Sequence, residues 1–109
     1  MTYEQIAEAL FYSKNFKILS DKELEKKGIF IGENLHEKGT YAICTLSKNI
    51  DFIKRELYFE IINKMHEQFN FKELNIYTNK AVNVQKEDQE EGVFIRKVPQ
   101  TILRKYNLI

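Results

Sequence analysis

Three consecutive segments decide the fold: Thr40-Tyr-Ala-Ile-Cys-Thr-Leu46, Ile50 to about Phe69, and Leu74-Asn-Ile-Tyr-Thr78. The first is an almost unbroken run of apolar and β-branched residues, which is typical of a strand covered on both faces. The second has the length and periodicity of a helix, and the third again favours a strand. A helix between two strands returns the chain for parallel pairing, almost always with a right-handed crossover. The stretch therefore predicts a β-α-β unit.

The N-terminal part of the chain is predicted to be mainly helical. Thr2 and Gln5 have the spacing of a capping box, which predicts a first helix from about Tyr3 to Tyr12. Phe16 to Leu19 is a short extended candidate. Ser20 is expected to cap a second short helix that ends before Gly28, since glycine commonly follows a helix.

The remaining segments complete a small sheet. Ile29-Phe-Ile31 predicts a strand, and the loop from Asn34 to Gly39 has a length suited to an antiparallel hairpin. Val82 to Glu91 is polar, with room for a short exposed helix. Val93-Phe-Ile-Arg-Lys-Val98 predicts the last strand, and Pro99 is expected to begin a closing helix through about Tyr106.

Together these segments predict one α/β domain, with helices in residues 1–28 and the sheet in residues 29–109. We expect a small mixed, mostly parallel sheet of about four strands, built on the central β-α-β unit and with helices on its faces. A chain of 109 residues is long enough to bury a core without disulfide or metal support.

Composition indicates a soluble globular protein, with 43% hydrophobic and 30% charged residues. There are 17 Lys and Arg against 16 Asp and Glu, so net charge favours neither a nucleic-acid partner nor its absence. The single cysteine, Cys44, cannot form an internal disulfide, which is consistent with a reducing compartment. No signal peptide and no apolar run of bilayer length is recognised, so a cytoplasmic protein without membrane contact is expected.

The residue types that carry catalysis are scattered along the sequence. His36 and His66 have no Cys or His at ligand spacing, so no metal site is expected. Cys44 lies in an apolar strand, which favours inert packing over a nucleophile. Glu25-Lys-Lys27 resembles half of a nuclease Glu-x-Lys motif, but it falls on a predicted helix, where a solvated surface is the simpler interpretation.

One charge pattern distinguishes the C-terminal end of the chain. Lys86 to Glu91 contains four acidic residues and one basic residue, whereas the chain beyond Glu91 contains no acid. That terminal stretch carries Arg96, Lys97, Arg104 and Lys105 on the last strand and the closing helix. The pattern is consistent either with an ordinary solvated surface or with a patch that contacts phosphates or a partner protein.

The long helix has two apolar groups when it is plotted at 100° per residue. The first group is assigned to the sheet and contains Ile50, Ile53, Leu57, Ile61 and Met65. The second group forms a candidate interface and contains Phe52, Tyr58, Phe59 and Ile62. Either the N-terminal helix covers this second group through Ile6, Leu10 and Phe11, or a second copy or a larger enzyme covers it.

From Ile29 onward, about three-quarters of the chain resembles a known protein region. The features that carry the resemblance, in order, are Phe30-Ile-Gly-Glu33, the Thr40 to Leu46 strand, the long helix, Ile76-Tyr-Thr-Asn-Lys80 and Val98-Pro99. Their order is similar to that of the C-terminal region of DNA adenine-N6 methyltransferases of type III restriction-modification systems. The resemblance implies an α/β domain that belongs to a DNA-modification enzyme.

The chain also departs from that family. Such enzymes bind S-adenosylmethionine through a Phe-x-Gly-x-Gly turn, and Phe30-Ile-Gly32 lacks the second glycine. They position adenine with an Asp-Pro-Pro-Tyr motif, whereas the one proline here, Pro99, follows Val98. The resemblance therefore implies a non-catalytic accessory or C-terminal domain without a cofactor, which helps to bind DNA weakly through its backbone or to bind the catalytic or restriction subunit.

Two alternatives remain open from the residues. The chain could be a free-standing homodimeric α/β interaction module with no role in nucleic-acid binding. It could also be a small enzyme of the nuclease class, although no carboxylate cluster falls at the predicted strand ends. The resemblance and the basic terminal stretch favour the accessory-domain hypothesis over both.

Overall fold

A mixed β-sheet lies at the centre of the molecule, with helices packed against both of its faces. The computed structural model describes residues 2–19, 21–47, 52–53, 55–82 and 84–109, and for residues 52, 53 and 82 it describes the backbone alone. Within the described residues, no helix is long and apolar enough to cross a membrane. The Cα radius of gyration is 13.0 Å, which matches the ~13 Å expected of a compact chain of this length.

The elements follow one another along the chain in an alternating order. They are α1 (Tyr3–Ser13), β1 (Phe16–Leu19), α2 (Lys22–Lys26), β2 (Ile29–Asn34), β3 (Thr40–Thr45), β4 (Phe52–Ile53), α3 (Arg55–Gln68), β5 (Glu73–Thr78), β6 (Ala81–Val82), a 3-10 turn (Lys86–Asp88), β7 (Val93–Lys97) and α4 (Gln100–Lys105). The α/β class and the central β3-α3-β5 unit agree with the sequence prediction.

The sheet of the described residues has five strands in the order β1-β2-β3-β5-β7. β1 pairs with β2, and β2 with β3, in antiparallel fashion, whereas β3 pairs with β5, and β5 with β7, in parallel. The prediction of about four mostly parallel strands is therefore corrected to five strands in an evenly mixed sheet. The fifth strand is β1, because Phe16 to Leu19 continues the hairpin of β2 and β3 by one further antiparallel pairing.

The register aligns one apolar residue from each of the five strands. Leu19 lies opposite Ile31, Ile31 opposite Ile43, Ile43 opposite Ile76, and Ile76 opposite Ile95. Most of this row packs under α2 and α3, in a core that also contains Leu24, Tyr58, Ile61, Ile62 and Met65. The alternation of side chains along each strand thus supplies a continuous floor for the long helix.

The opposite face of the sheet carries a second core under α1 and α4. It contains Ile6, Leu10 and Phe11 of α1, Leu103 of α4, and apolar residues of the sheet beneath them. Gly32 permits this packing, since a Cβ at Gly32 would lie 3.1 Å from the Phe11 ring and from Cβ of Phe16. The N-terminal helix therefore lies on the opposite face of the sheet from α3.

The long helix begins later than the sequence predicts. α3 starts at Arg55, and the preceding Phe52–Ile53 forms β4, which pairs in parallel with Ala81–Val82 of β6. The predicted start at Ile50 lies outside the described residues. Because Ile53 precedes the helix, it cannot belong to the helical stripe that was assigned to the sheet.

Two helix starts also differ from the prediction. The N-cap of α2 is Asp21, whose carboxylate accepts a hydrogen bond from the Leu24 backbone N–H at 3.1 Å. Ser20, the predicted cap, lies outside the described residues. Pro99 is the N-cap of α4 and not its first helical residue. The capping box of Thr2 and Gln5 at α1 is confirmed, with both of its hydrogen bonds formed.

Candidate functional site

An open groove of about 510 Å³ crosses the sheet face that carries α1 and α4. It extends from the end of α1 across the sheet to β7, so strands that are distant in sequence form its floor. Most of the lining side chains are polar or charged: Lys14, Asn34, Glu37, Thr40, Glu73, Asn75, Tyr77, Arg96 and Lys97. Among these residues, Tyr77 also belongs to the apolar core under α1 and α4.

Arg96 is the most firmly positioned cation of the groove. Its Nε donates a hydrogen bond to Oδ1 of Asn75 at 2.7 Å, and its guanidinium carbon lies 5.3 Å from the centroid of the Phe94 ring. No ion pair to Arg96 occurs among the described residues. Its two terminal nitrogens, which make no hydrogen bond within the described part of the chain, are available to an anion.

Asn75 is buried, with 4% of its surface exposed, and its amide is shared among three partners. Besides accepting from Arg96, its Nδ2 group donates to a Glu73 carboxylate oxygen at 3.1 Å and to the Tyr41 carbonyl at 3.5 Å. The second of these bonds is at the limit of useful length. The buried amide therefore connects the carboxylate and the guanidinium and fixes their positions in the groove.

Tyr77 presents a polar atom to the same groove although only 7% of the residue is exposed. Burial raises the pKa of its hydroxyl, the positive charge of Arg96 lowers it, and the negative charge of Glu73 raises it further. Arg96 and Glu73 line the groove together with Tyr77. The hydroxyl makes no hydrogen bond to the described residues, and as a neutral group it can both donate to and accept from a ligand.

Two carboxylates offset part of the positive charge of the groove lining. Glu73 accepts from Asn75, and a Glu37 carboxylate oxygen accepts from the Thr40 hydroxyl at 3.4 Å. The lining thus contains three cationic side chains, Lys14, Arg96 and Lys97, and two anionic ones, Glu37 and Glu73. In the part of the chain that the structure describes, no group of three or more His, Cys, Asp or Glu residues could hold a metal ion.

The structure separates the four basic residues that the sequence grouped together. Arg96 and Lys97 both line the groove, but the Lys97 ammonium donates to the Lys80 carbonyl at 3.0 Å. Arg104 donates to Oε1 of Gln100 at 3.2 Å on the exposed surface of α4. Lys105 lines a different groove. The basic terminal stretch is therefore divided between at least two surfaces.

That second groove, of about 600 Å³, lies between α1 and α4. Lys105 and Tyr106 form one side of it, and the Lys105 ammonium lies 5.6 Å from the centroid of the Tyr106 ring. Tyr12 lies on the other side and is 88% exposed. An aromatic side chain this exposed distinguishes the α1–α4 groove from the surrounding polar surface.

The candidate interface on α3 is largely internal. Tyr58 and Ile62 are buried in the core between α3 and the sheet, so the sheet covers them and the N-terminal helix does not. Phe59 is half-buried, with its ring centroid 5.5 Å from that of Tyr58 and the Arg55 guanidinium 4.8 Å above it. The side chain of Phe52 lies outside the described residues. A partner surface at this place therefore stays a prediction for Phe59.

The isolated reactive side chains are accounted for by packing and by surface contacts. Cys44 is buried, as expected of a packed strand residue, and burial raises the pKa of its thiol to about 12. His66 lies exposed on α3, with Nε2 at 2.8 Å from a Glu90 oxygen and its ring against Phe71. His36 is exposed in the β2–β3 loop.

Most of the residues that line the groove could not be identified from the sequence. The sequence pattern places Asn75 and Tyr77 in an apolar strand and does not identify Lys14, Glu37 or Glu73 as site residues. A signal was nevertheless present, because Glu73, Asn75 and Tyr77 alternate with apolar residues and must share one face of β5. Their connection to Arg96 depends on the pairing of β5 with β7, which the sequence does not reveal.

Comparison with known proteins adds no family to this description. No protein-family model matches the chain, and no curated protein matches it significantly. The interpretation of the groove therefore rests on its own geometry and charges.

Proposed function

We propose that this chain is a non-catalytic accessory domain that binds nucleic acid on behalf of a DNA-modifying enzyme, through the groove around Arg96. The observation that carries the proposal is that the Arg96 guanidinium is held in place by one hydrogen bond and has no ion-pair partner among the described residues. Asn75 holds its Nε, and Arg96 lines the groove. A planar guanidinium with two adjacent donors matches the oxygens of a phosphate.

Two further groups support phosphate binding at this place. Lys14, which follows α1, lines the same groove, is exposed and makes no side-chain hydrogen bond within the described part of the chain. The Tyr77 hydroxyl can donate a hydrogen bond to a phosphate oxygen. Binding through so few charges is expected to be weak, tolerant of sequence and sensitive to salt.

The kind of enzyme is suggested by the resemblance to adenine-N6 DNA methyltransferases of type III restriction-modification systems. The chain lacks the residues that hold S-adenosylmethionine and adenine in that family, so catalysis would belong to another subunit or another part of a longer protein. In this proposal the domain contributes DNA contacts, contacts to the catalytic or restriction subunit, or both.

The proposal is tested by measuring DNA affinity across a range of salt concentrations, from the fluorescence anisotropy of a labelled DNA. Each phosphate contact contributes about 0.9 to the slope of log affinity against log salt on duplex DNA and about 0.7 on a single strand. We expect Arg96→Gln to weaken binding and to reduce the slope by about one contact.

The matched control is Lys26→Gln, because Lys26 is an exposed cation on α2, and α2 packs on the opposite face of the sheet. This change should leave the slope as it is. Failure of the wild-type chain to bind either form of DNA, or equal effects of the two substitutions, would contradict the proposal.

A second candidate function is a free-standing homodimeric interaction module. The observation that favours it is Tyr12, because a large aromatic side chain with 88% exposure beside a groove is typical of partner surfaces. Sedimentation equilibrium of the wild type and of Tyr12→Ser distinguishes this candidate. A dimer that the substitution dissociates would support it, whereas a wild type that remains monomeric would exclude it.

A further inference from the structure

Phe94 occupies an unusual position for a phenylalanine. It lies on β7, directly opposite the buried Asn75 of β5, and yet it is 44% exposed. Arg96, two residues later on the same strand, lies on the same sheet face and places its guanidinium 5.3 Å from the Phe94 ring centroid. An aromatic ring and a cation are thus presented together on the sheet face that carries the groove.

The charges of the groove restrict what can occupy it. Glu37 and Glu73 line it together with Lys14, Arg96 and Lys97. The backbone of a duplex presents phosphates to a protein surface, and both carboxylates would repel them. An unpaired strand also presents base edges, and a carboxylate accepts hydrogen bonds from an amino group such as the N4 group of cytosine. The mixed lining therefore fits a nucleotide strand better than a duplex backbone.

The size of the groove agrees with this occupant. Its volume of about 510 Å³ falls within the ~300–1,000 Å³ of sites that enclose ligands of small-molecule size. Aromatic side chains beside a positively charged groove are the usual way in which proteins hold single-stranded nucleic acid, because every base has a face that can stack.

We infer that the groove holds an unpaired stretch of nucleic acid, with Phe94 stacking on a base and Arg96 contacting a neighbouring phosphate. This inference rests on the proposed function and makes it more specific. The buried amide of Asn75 would keep the guanidinium in place beside the stacked base. Tyr77 and the two carboxylates would provide hydrogen-bonding groups for base edges.

The test compares a short single-stranded oligodeoxycytidine with a mixed-sequence duplex of the same length, at one salt concentration. We expect the wild type to bind the single strand more tightly. Phe94→Ala should weaken single-strand binding about 5- to 150-fold, the range found when a stacking residue is removed. It should leave duplex binding almost unchanged. Ile109→Ala, which shortens another exposed apolar side chain, is the control and should change neither.

A tryptophan at the same position provides a second readout. The chain contains six Tyr but no Trp, so Phe94→Trp introduces a single tryptophan, whose fluorescence can be excited selectively at wavelengths that tyrosine absorbs weakly. Its emission should be quenched when the oligodeoxycytidine binds, and affinity should be retained because tryptophan also stacks. This variant keeps an aromatic ring in place, so it also controls for loss of structure in Phe94→Ala.

The outcomes separate this inference from the proposed function. If the wild type binds duplex as tightly as single strand, and neither Phe94 substitution gives the expected change, the inference is overturned while nucleic-acid binding stands. If the wild type binds neither form, the proposed function fails together with the inference.

Discussion

Arg96 and Asn75 are joined diagonally across two parallel strands. Asn75 is the register partner of Phe94, and Arg96 is that of Tyr77, yet Nε of Arg96 donates to Oδ1 of Asn75 at 2.7 Å. Asn75 is buried and Arg96 is exposed. A side chain of the interior therefore determines the orientation of a surface cation, and this dependence can be measured.

A double-mutant cycle on this pair should reveal coupling in DNA affinity. Asn75→Ala removes the group that holds Arg96, so we expect it to weaken DNA binding in wild-type chain but to have little further effect once Arg96→Gln is present. Residues in contact usually show interaction free energies of about 0.5–3 kcal/mol. Additive effects of the two substitutions would show that Arg96 does not depend on Asn75 for binding.

The division of the basic residues between two surfaces gives a second prediction. Replacing Lys14 and Arg96 together with glutamine should reduce the slope of log affinity against log salt by about 1.4–1.8, the value for two contacts. Replacing Arg104 and Lys105 should reduce it less, because Lys105 lies in the α1–α4 groove. Equal reductions would indicate one DNA surface that continues onto α4.

The missing cofactor motifs give a third prediction. The chain should not bind S-adenosylmethionine with a dissociation constant below about 100 μM, which corresponds to about 5.5 kcal/mol of binding free energy. Phe30-Ile-Gly32 lacks the second glycine of the cofactor turn, and this segment forms part of β2 instead. Titration calorimetry is the measurement, and tighter binding would contradict the proposal of a non-catalytic domain.

Gly92 provides a test of how β7 is positioned. It precedes β7 with φ of +82°, and a Cβ at this position would lie 2.7 Å from the Lys72 carbonyl oxygen. Gly92→Ala is therefore expected to lower the free energy of unfolding by at least about 1–3 kcal/mol, the usual scale of backbone strain, as measured by urea denaturation.

Gly39→Ala is the matched control for this substitution. Gly39 also has a positive φ, of +87°, but the atoms that a Cβ would meet belong to the flexible Lys72 side chain. The strain of the left-handed conformation is common to both positions, whereas the backbone collision is confined to Gly92. Equal losses of stability would contradict the close approach of Gly92 to Lys72.

Cys44 gives a fifth prediction, about reactivity. Burial raises the pKa of its thiol to about 12, so near pH 8 the group is almost entirely protonated, and the thiolate is the reactive form. We expect a thiol reagent to label native protein far more slowly than protein unfolded in guanidinium. Labelling at the same rate in both states would show that the central strand is open to solvent.

The part of the fold that depends on local pattern could be predicted from the sequence. The β2–β3 hairpin, the β3-α3-β5 unit and the capping box at Thr2 each depend on residues that are close in the chain. The buried face of α3 is predicted less well, because Ile53 precedes the helix and because Tyr58 and Ile62 belong to the core and not to a separate interface group. The buried residues of α3 are Tyr58, Ile61, Ile62 and Met65.

The groove could not be predicted, because its parts meet only through tertiary structure. Lys14 follows α1, Glu37 lies in a hairpin loop, and Asn75 and Arg96 lie on strands that the sequence cannot assign as neighbours. The sequence does show that Arg96 belongs to a basic segment. It does not show that Arg96 and Lys105 lie in different grooves, since that depends on the packing of α4 against α1.

The strand order has a consequence for the sequence of events during folding. β1, β2 and β3 are joined by short connections, whereas β5 and β7 join the sheet only after much longer segments of chain have closed, and closing long loops costs more entropy. Lys14 and Glu37 of the groove belong to the part of the chain around β1, β2 and β3, whereas Asn75 and Arg96 lie on β5 and β7. A partly folded chain that held only the antiparallel strands would therefore have no binding site. A ligand bound in the groove would contact residues of both parts of the chain and would therefore stabilise the completed structure.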